Sequence, residues 1–281
     1  MISGLQCADR VLDLGRPQVM GILNVTPDSF SDGGRFNGLD AALAQAERML
    51  EAGAAIIDVG GESTRPGAAD VSLDEELRRV IPVIEAIRKR FDSLVSIDTS
   101  KAEVMRQAVR AGAGLINDVR ALREPGAVEA AADSDAAICL MHMQGAPRTM
   151  QTAPSYRDVV TEVGDFLKLR VAQCEAAGIA RNRLMLDPGF GFGKTLDHNL
   201  TLLEQLSRLT QIGLPLLVGV SRKRMIGSLL GERPVEARVH GSVAAAVIAA
   251  MHGARVLRVH DVAETVDALA IVAGLEANRK Q

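Results

Sequence analysis

Five short stretches of this 281-residue chain carry more chemistry than a connection between elements needs. The first is Gly21-Ile22-Leu23-Asn24-Val25-Thr26-Pro27-Asp28-Ser29-Phe30-Ser31-Asp32-Gly33-Gly34. It begins as an apolar run and breaks into a loop with an amide, two carboxylates, hydroxyls, a lone ring and a Gly-Gly pair. Proline and glycine forbid a regular element there, and the loop is too long and too polar for a plain turn. The second, Gly60-Gly61-Glu62-Ser63-Thr64-Arg65-Pro66-Gly67, joins flexible glycines to an arginine suited to bidentate recognition of a carboxylate. The third, Asp187-Pro188-Gly189-Phe190-Gly191-Phe192-Gly193-Lys194, sets a carboxylate before three glycines and two rings. Its glycines would let backbone amides approach a ligand. It is not the Gly-x-x-x-x-Gly-Lys-Ser/Thr phosphate pattern, so a nucleotide loop is disfavoured.

Ser221-Arg222-Lys223 and Arg258-Val259-His260-Asp261 are basic clusters near the C-terminal end. On a strand, Arg258 and His260 project to the same side. Together they suit an anion; the plainer reading of Arg258 is a buried ion pair. His142, flanked by Met141 and Met143, reads equally well as a satisfied core histidine. Aromatics are scarce, with no Trp, one Tyr and six Phe, yet Phe30, Phe36, Phe190 and Phe192 all lie in glycine-rich segments. Such rings either cover a flat ligand or plug a rim.

The elements that must hold these groups follow from periodicity. Eight apolar runs recur, over 19–24, 54–58, 94–98, 115–117, 136–142, 183–187, 215–221 and 255–260, each closing on a polar residue. Between them lie helical patterns over 39–51, 74–90, 102–110, 124–132, 156–177, 200–209, 235–252 and 262–275. Asp40, Ser72 (with Glu75) and Ser100 (with Glu103) are candidate N-caps, and Gly53, Gly112 and Gly178 are candidate stops. Continuous apolar strands alternating with helices imply a parallel sheet buried on both faces. Eight units predict an α/β fold, a single-domain (β/α)8 TIM barrel over 1–281, with 1–16 as an N-terminal lead-in. An open doubly wound sheet would show an early Gly-x-Gly-x-x-Gly, which is absent. In a barrel the run-ending residues Asn24, Asp58, Asp98, Asn117, His142, Asp187, Ser221 and His260 form one polar ring at the mouth. Phosphate is bound in many barrels by the loops after strands seven and eight, where Arg258 and His260 fall.

Composition narrows the class. An apolar fraction of 47% fills a core, and 24% charged residues suit a soluble chain. A net charge of -3 gives no reason to expect nucleic acid or an anionic membrane as partner. Cys7, Cys139 and Cys174 make neither a disulfide framework nor a zinc site. The N-terminus lacks the apolar core of a signal peptide, and the longest apolar run, 243–251, is too short to span a bilayer. A cytoplasmic protein is expected.

Taken in order, Asn24–Gly34, Gly61–Gly67, Asp98-Thr99-Ser100-Lys101, Asn117-Asp118, Met141-His142-Met143-Gln144-Gly145, Asp187–Lys194, Ser221–Lys223 and Arg258–Asp261 resemble the bacterial dihydropteroate synthases. The matches run over nearly the whole chain. Ala102 and Ala146 depart from the family pattern, at positions without a ligand role. The resemblance implies condensation of (7,8-dihydropterin-6-yl)methyl diphosphate with 4-aminobenzoate, giving 7,8-dihydropteroate and pyrophosphate. It implies a dissociative route through a pterin-methylene cation, with no covalent enzyme intermediate. It assigns Asp98, Asn117, Asp187 and Lys223 to the pterin. Asn24, Arg258 and His260 go to the diphosphate, with Mg²⁺ on Asn24 and Asp32 a weaker candidate. Phe30, Thr64, Arg65, Pro66, Phe192 and Ser221 go to 4-aminobenzoate. Asn24, Lys223, Arg258 and His260 are the expected catalytic groups, sulfonamides the expected inhibitors, and a homodimer the expected assembly; the apolar helix over 235–251 either forms that interface or simply faces the barrel. The rivals are a pterin-dependent methyltransferase, which should lack the first two loops, a Schiff-base aldolase using Lys223, and a catalytically silent pterin-binding paralogue.

Overall fold

The chain enters through a hairpin that apolar periodicity does not announce. Strands β1 (Gly4–Cys7) and β2 (Arg10–Asp13) pair antiparallel, with Leu5, Cys7 and Leu14 buried. The lead-in is thus a structured plug. The structure, a computed structural model, describes residues 4–26, 35–62, 70–145 and 150–279. Eight parallel strands follow: β3 (Gln18–Asn24), β4 (Ile56–Gly60), β5 (Leu94–Asp98), β6 (Leu115–Asp118), β7 (Ala137–Met141), β8 (Leu184–Asp187), β9 (Leu216–Val218) and β10 (Ala254–Val259). They close in chain order into a barrel, β10 returning to pair with β3. This is the (β/α)8 barrel that the eight apolar runs predict.

Period-two alternation sorts each strand. Met20, Ile56, Leu94, Leu115, Met185, Leu217 and Val256 point inward and form one apolar cluster with Leu5, Cys7 and Leu14 from the hairpin. The plug therefore sits at the N-terminal end of the barrel, where conserving shape serves stability. Cutting fully buried Leu115 to Ala would cost about 2–5 kcal/mol. The alternate residues, Val19, Leu23, Ile57, Ile97, Leu186 and Leu257 among them, face outward into the cluster that the helices cover.

Those helices are α1 (Arg35–Glu51), α2 (Leu73–Arg90), α3 (Ala102–Arg110), α4 (Ala127–Ala132), α5 (Val159–Ala176), α6 (Leu196–Glu204), α7 (Leu206–Leu209), α8 (Arg224–Leu229), α9 (Val239–Met251) and α10 (Val262–Asn278). Ser72 caps α2 as expected, its hydroxyl accepting from the Glu75 amide at 3.3 Å. Asp40 caps nothing, because α1 begins five residues earlier. Ser100 is not a cap either; its hydroxyl donates to Asp118 at 2.5 Å across to the neighbouring strand's end. Gly53, Gly112 and Gly178 do stop helices, with φ of 95°, 107° and 87°. The pattern over 200–209 splits into α6 and α7, and that over 235–252 into a 3-10 turn and α9. Short α8 is too brief to register as a period. Among the described residues no helix is long and apolar enough to cross a membrane.

Candidate active site at the barrel mouth

The inward alternation that buries Ile56 and Leu94 carries on up the strands and turns polar. Asn24 of β3, Gly60 of β4, Asp98 of β5 and Asn117 of β6 lie side by side in register. Gly60 leaves room between its neighbours: a Cβ there would sit 3.6 Å from Asp98 Cβ and 3.8 Å from Asn24 Oδ1. An amide oxygen and a carboxylate are thereby brought together at the rim.

One layer lower stands Asp58, fully buried. It is not the end of its strand, as apolar patterning implies, because β4 continues to Gly60. Its Oδ2 accepts from Arg258 Nε at 2.6 Å and from Asn117 Nδ2 at 3.1 Å. The same guanidinium reaches Asp98 Oδ2 through Nη2 at 2.7 Å. Arg258 therefore bridges two carboxylates, the ion-pair reading of that residue, while staying at the site. Burial works against its charge, but Asp58 and Asp98 outweigh burial and hold the guanidinium above its ordinary range. Burial likewise pushes the Asp98 carboxyl up, with Arg258 pulling it back.

Across the mouth, Asp187 ends β8, buried, and its carboxyl is raised by burial and lowered by Lys223. Gly189, Gly191 and Gly193 all have positive φ, 70°, 79° and 62°. A Cβ at 189 would run into the His142 carbonyl oxygen and one at 193 into that of Gln144. Two of their amides are turned to protein acceptors instead of a ligand, against what the sequence suggests. Gly189 N–H donates to Asp187 Oδ1 at 2.7 Å and Gly191 N–H to Asn199 Oδ1 at 2.8 Å. The glycines are needed for close packing of the loop. Phe190 is fully buried in the outer core, so of the two readings open to it the ligand cover does not apply. Phe192 is the ring at the site, half-buried against Val119, Met141, Met143 and Met150, with Lys223 Nζ 4.6 Å above its centroid.

Lys223 also donates to the Phe190 carbonyl, and burial lowers its ammonium to about 8. The preceding Ser221 is buried, and its Oγ meets His260 Nδ1 at 3.0 Å. Between them Arg222 adopts a left-handed φ of 57° and clamps Asp261 through Nε at 3.0 Å and Nη2 at 2.5 Å. The loops after β9 and β10 are thus tied twice. His142 is the satisfied core histidine: buried, held down to about 2 chiefly by desolvation, and bonded through Nδ1 to Lys194 Nζ at 2.9 Å. At the stem of the second loop, Lys101 ties Glu62 to fully buried Glu76, which also accepts from Thr99 at 2.6 Å.

Asn24, Asp98, Asn117, Asp187, Phe192, Ser221, Lys223, Arg258 and His260 thus all sit at the C-terminal ends of the strands or in the loops that follow them. Phe30, Thr64, Arg65, Pro66 and Asp32 lie outside the described residues, as does the side chain of Phe36. In the sequence Asp58 reads as a member of the polar ring, without a ligand role, and Lys194 as the end of its glycine motif, without a role of its own. Among the described residues no three His, Cys, Asp or Glu side chains form a metal cluster.

Known proteins of similar sequence and fold point to one family. The family model described as "pterin binding enzyme" matches residues 20–260. The dihydropteroate synthase of Escherichia coli K12 is 61% identical over 261 residues, covering 93% of this chain and 92% of that protein. The Yersinia pestis dihydropteroate synthase, solved with a sulfonamide drug, superposes with a TM-score of 0.93 at 60% identity, over 99% of this chain and 100% of that one. The Xanthomonas albilineans enzyme in complex with 7,8-dihydropteroate superposes with a TM-score of 0.87 at 50% identity, over 98% and 99% of the two chains. With a pterin-binding match over most of its length, and relatives of this identity covered almost end to end, the chain belongs to the dihydropteroate synthase family.

Proposed function

We propose that this protein joins (7,8-dihydropterin-6-yl)methyl diphosphate to 4-aminobenzoate, giving 7,8-dihydropteroate and pyrophosphate, a transferase step of folate synthesis. The observation that carries this reading is the convergence of Asp98, Asn117, Asp187 and Lys223 on one barrel mouth beside Arg258. A pterin's amino-oxo edge is an array of donors and acceptors. Buried Asp98, Asn117 and Asp187 supply acceptors and an amide for it, and Lys223 supplies a cation for the carbonyl and ring nitrogen. A buried charged acceptor binds a donor edge strongly because water no longer competes.

The diphosphate side is Asn24, Arg258 and His260. Arg258 is already charged and already oriented by two carboxylates, so little reorganisation is needed as negative charge grows on the leaving oxygen. The methylene–oxygen bond breaks with its electron pair leaving on diphosphate. The cation left on the methylene is delocalised into the pterin, close to Asp98 and Asp187. The aromatic amine then attacks that carbon and loses a proton. The aminobenzoate side comprises Phe30, Thr64, Arg65, Pro66, Phe192 and Ser221, with Arg65 for the carboxylate. The Yersinia pestis relative was solved with a sulfonamide drug, and sulfonamides are expected to compete here at the same place.

Mg²⁺ fits the donors on this rim. It prefers oxygen and keeps several waters, so Asn24 Oδ1, beside Asp98, meets its need for few protein ligands. When bound, the ion would neutralise diphosphate charge in the ground and transition states. The protein is inferred to be cytoplasmic and homodimeric. The second copy is assigned to the exposed apolar side chains of two neighbouring helices, Ile248 and Met251 on α9 and Ile271 and Leu275 on α10. Sedimentation of wild type and an Ile248→Asp/Ile271→Asp variant should show dimer and monomer respectively.

A silent pterin-binding paralogue is not favoured, since no assigned side chain at the mouth has been lost. A coupled pyrophosphate-release assay with both substrates and Mg²⁺ tests the reading directly. Folded, magnesium-replete protein that releases no pyrophosphate would overturn it.

A further inference from the structure

Two ammonium groups grip the Gly189–Phe192 arch from different sides. Lys223 reaches it from the loop after β9 and donates to the Phe190 carbonyl. Lys194, at the arch's own C-terminal foot, turns back beneath it. Its Nζ lies 2.9 Å from the Gly189 carbonyl, 3.1 Å from the Phe192 carbonyl and 2.9 Å from His142 Nδ1. An ammonium has three hydrogens, and here each has an acceptor. With 3% of its surface exposed, Lys194 cannot touch a ligand, and no step above uses it.

The contacts form a closed circuit. His142 N–H donates to the Asp187 carbonyl at 2.9 Å, and its ring accepts from Lys194. Lys194 holds the Gly189 carbonyl, while Gly189 N–H donates to Asp187 Oδ1. Phe192 N–H donates to the same Gly189 carbonyl at 3.1 Å, and its own carbonyl goes to Lys194. The carboxylate assigned to the pterin and the ring assigned to 4-aminobenzoate are therefore both fixed through one buried nitrogen.

The two lysines differ in freedom. Lys223 is only half-buried and, on the function proposed above, turns to the pterin; the Phe190 carbonyl then loses its donor. Lys194 is enclosed and stays. We propose that Lys194 is a positioning residue of the site, holding the arch, and with it Asp187 and Phe192, while Lys223 exchanges the Phe190 carbonyl for the pterin. An apolar residue could fill the same space. It could not gather the Gly189 and Phe192 carbonyls and the His142 imidazole, of which the Gly189 carbonyl alone has a second donor in the circuit, Phe192 N–H. Neutral His142 suits this role, because a protonated ring would have no lone pair at Nδ1 for the ammonium.

The test compares wild type, Lys194→Met and Lys194→Gln by calorimetric titration of 7,8-dihydropteroate, steady-state kinetics for both substrates, and thermal melting. Lys194→Met should bind 7,8-dihydropteroate at least tenfold more weakly and raise the KM for 4-aminobenzoate by a similar factor, in protein still folded at the assay temperature. Lys194→Gln returns one amide donor group and should recover part of both losses. A purely structural lysine would lower the melting temperature and leave affinity and KM of the folded protein unchanged, which would overturn the proposal. Where Lys194→Met does not fold, loss of affinity in Lys194→Gln supports the proposal and wild-type affinity overturns it. If neither folds, the lysine serves folding and the proposal fails. Wild-type protein that neither binds nor forms 7,8-dihydropteroate would instead sink the proposed function.

Discussion

Arg258 Nε lies 2.6 Å from Asp58 Oδ2, although the two residues are 200 positions apart in the chain. The first belongs to the last strand of the barrel and the second to the second barrel strand, so only closure brings them together. The pair keeps the guanidinium charged and aimed toward Asp98. Asp58→Asn removes the charge from a fully buried position and leaves Arg258 with one carboxylate. Breaking a buried pair costs about 3–5 kcal/mol, and the lower end applies because Asp98 remains. Urea unfolding should show a loss of about 3 kcal/mol, and pterin binding should weaken as the shared anchor of Arg258 and Asn117 loses its charge. Unchanged unfolding free energy would refute this role for Asp58.

Asp187→Asn tests the pterin slot with less structural damage. Its Oδ1 accepts from Gly189 N–H, and an asparagine oxygen can do the same. What is lost is the charge facing the pterin's donor edge, which should cost on the order of 1.5–3 kcal/mol of binding. The melting temperature should hardly move. A variant that melts much lower yet binds pterin normally would make Asp187 structural.

Stability and pterin binding should depend on pH in opposite directions above neutrality. Burial lowers Lys223 to about 8 and Lys194 to about 7, from an ordinary 10.5. Between those values and 10.5 the unfolded chain binds more protons than the folded one, so the folding penalty of these lysines shrinks as pH rises. Below about pH 7 their full penalty is present. Pterin binding calls on the Lys223 ammonium and should fall as pH rises through about 8. Calorimetry of 7,8-dihydropteroate from pH 6.5 to 9.5 checks the second slope; Lys223→Gln should remove the fall centred near 8 and leave the part that Lys194 contributes near 7. An affinity that rises across that range would reject the assignment of Lys223.

The binding order is a further expectation. By sequence, the loops at 24–34 and 60–67 are glycine-rich and polar, in the manner of active-site lids. A single small ring with one carboxylate offers little to order two such loops. Diphosphate and Mg²⁺ offer more, through Asn24 at the base of the first. A sulfonamide should therefore bind weakly to free enzyme and far more tightly with pyrophosphate, Mg²⁺ and a pterin analogue present. Equal affinity in the two calorimetric titrations would mean a preformed pocket.

Much of this was legible in one dimension because its causes are local. Apolar runs such as Leu94–Asp98 announce strands, Ser72 announces a helix start, and Gly53 a helix stop, each within a few residues. Runs that end in Asn24, Asp98, Asn117 and Asp187 locate the mouth, since alternation carries a polar residue inward once the apolar layer is complete. The family motifs added roles that no local pattern holds.

The rest was settled only by closure of the barrel. Whether Arg258 waits for an anion or is already paired depends on carboxylates 160 and 200 residues away. Phe190 and Phe192 look alike in sequence, yet one is core and the other faces the mouth, because the arch turns between them. The glycine amides bond inward since Asp187 and Asn199 are there to receive them. Lys194 appeared as the end of a motif and proved to be its fastening, in reach of His142 only once β7 and β8 are paired. Burial and long-range partners decide the charge and aim of each group. Both come from packing, which a local pattern does not contain.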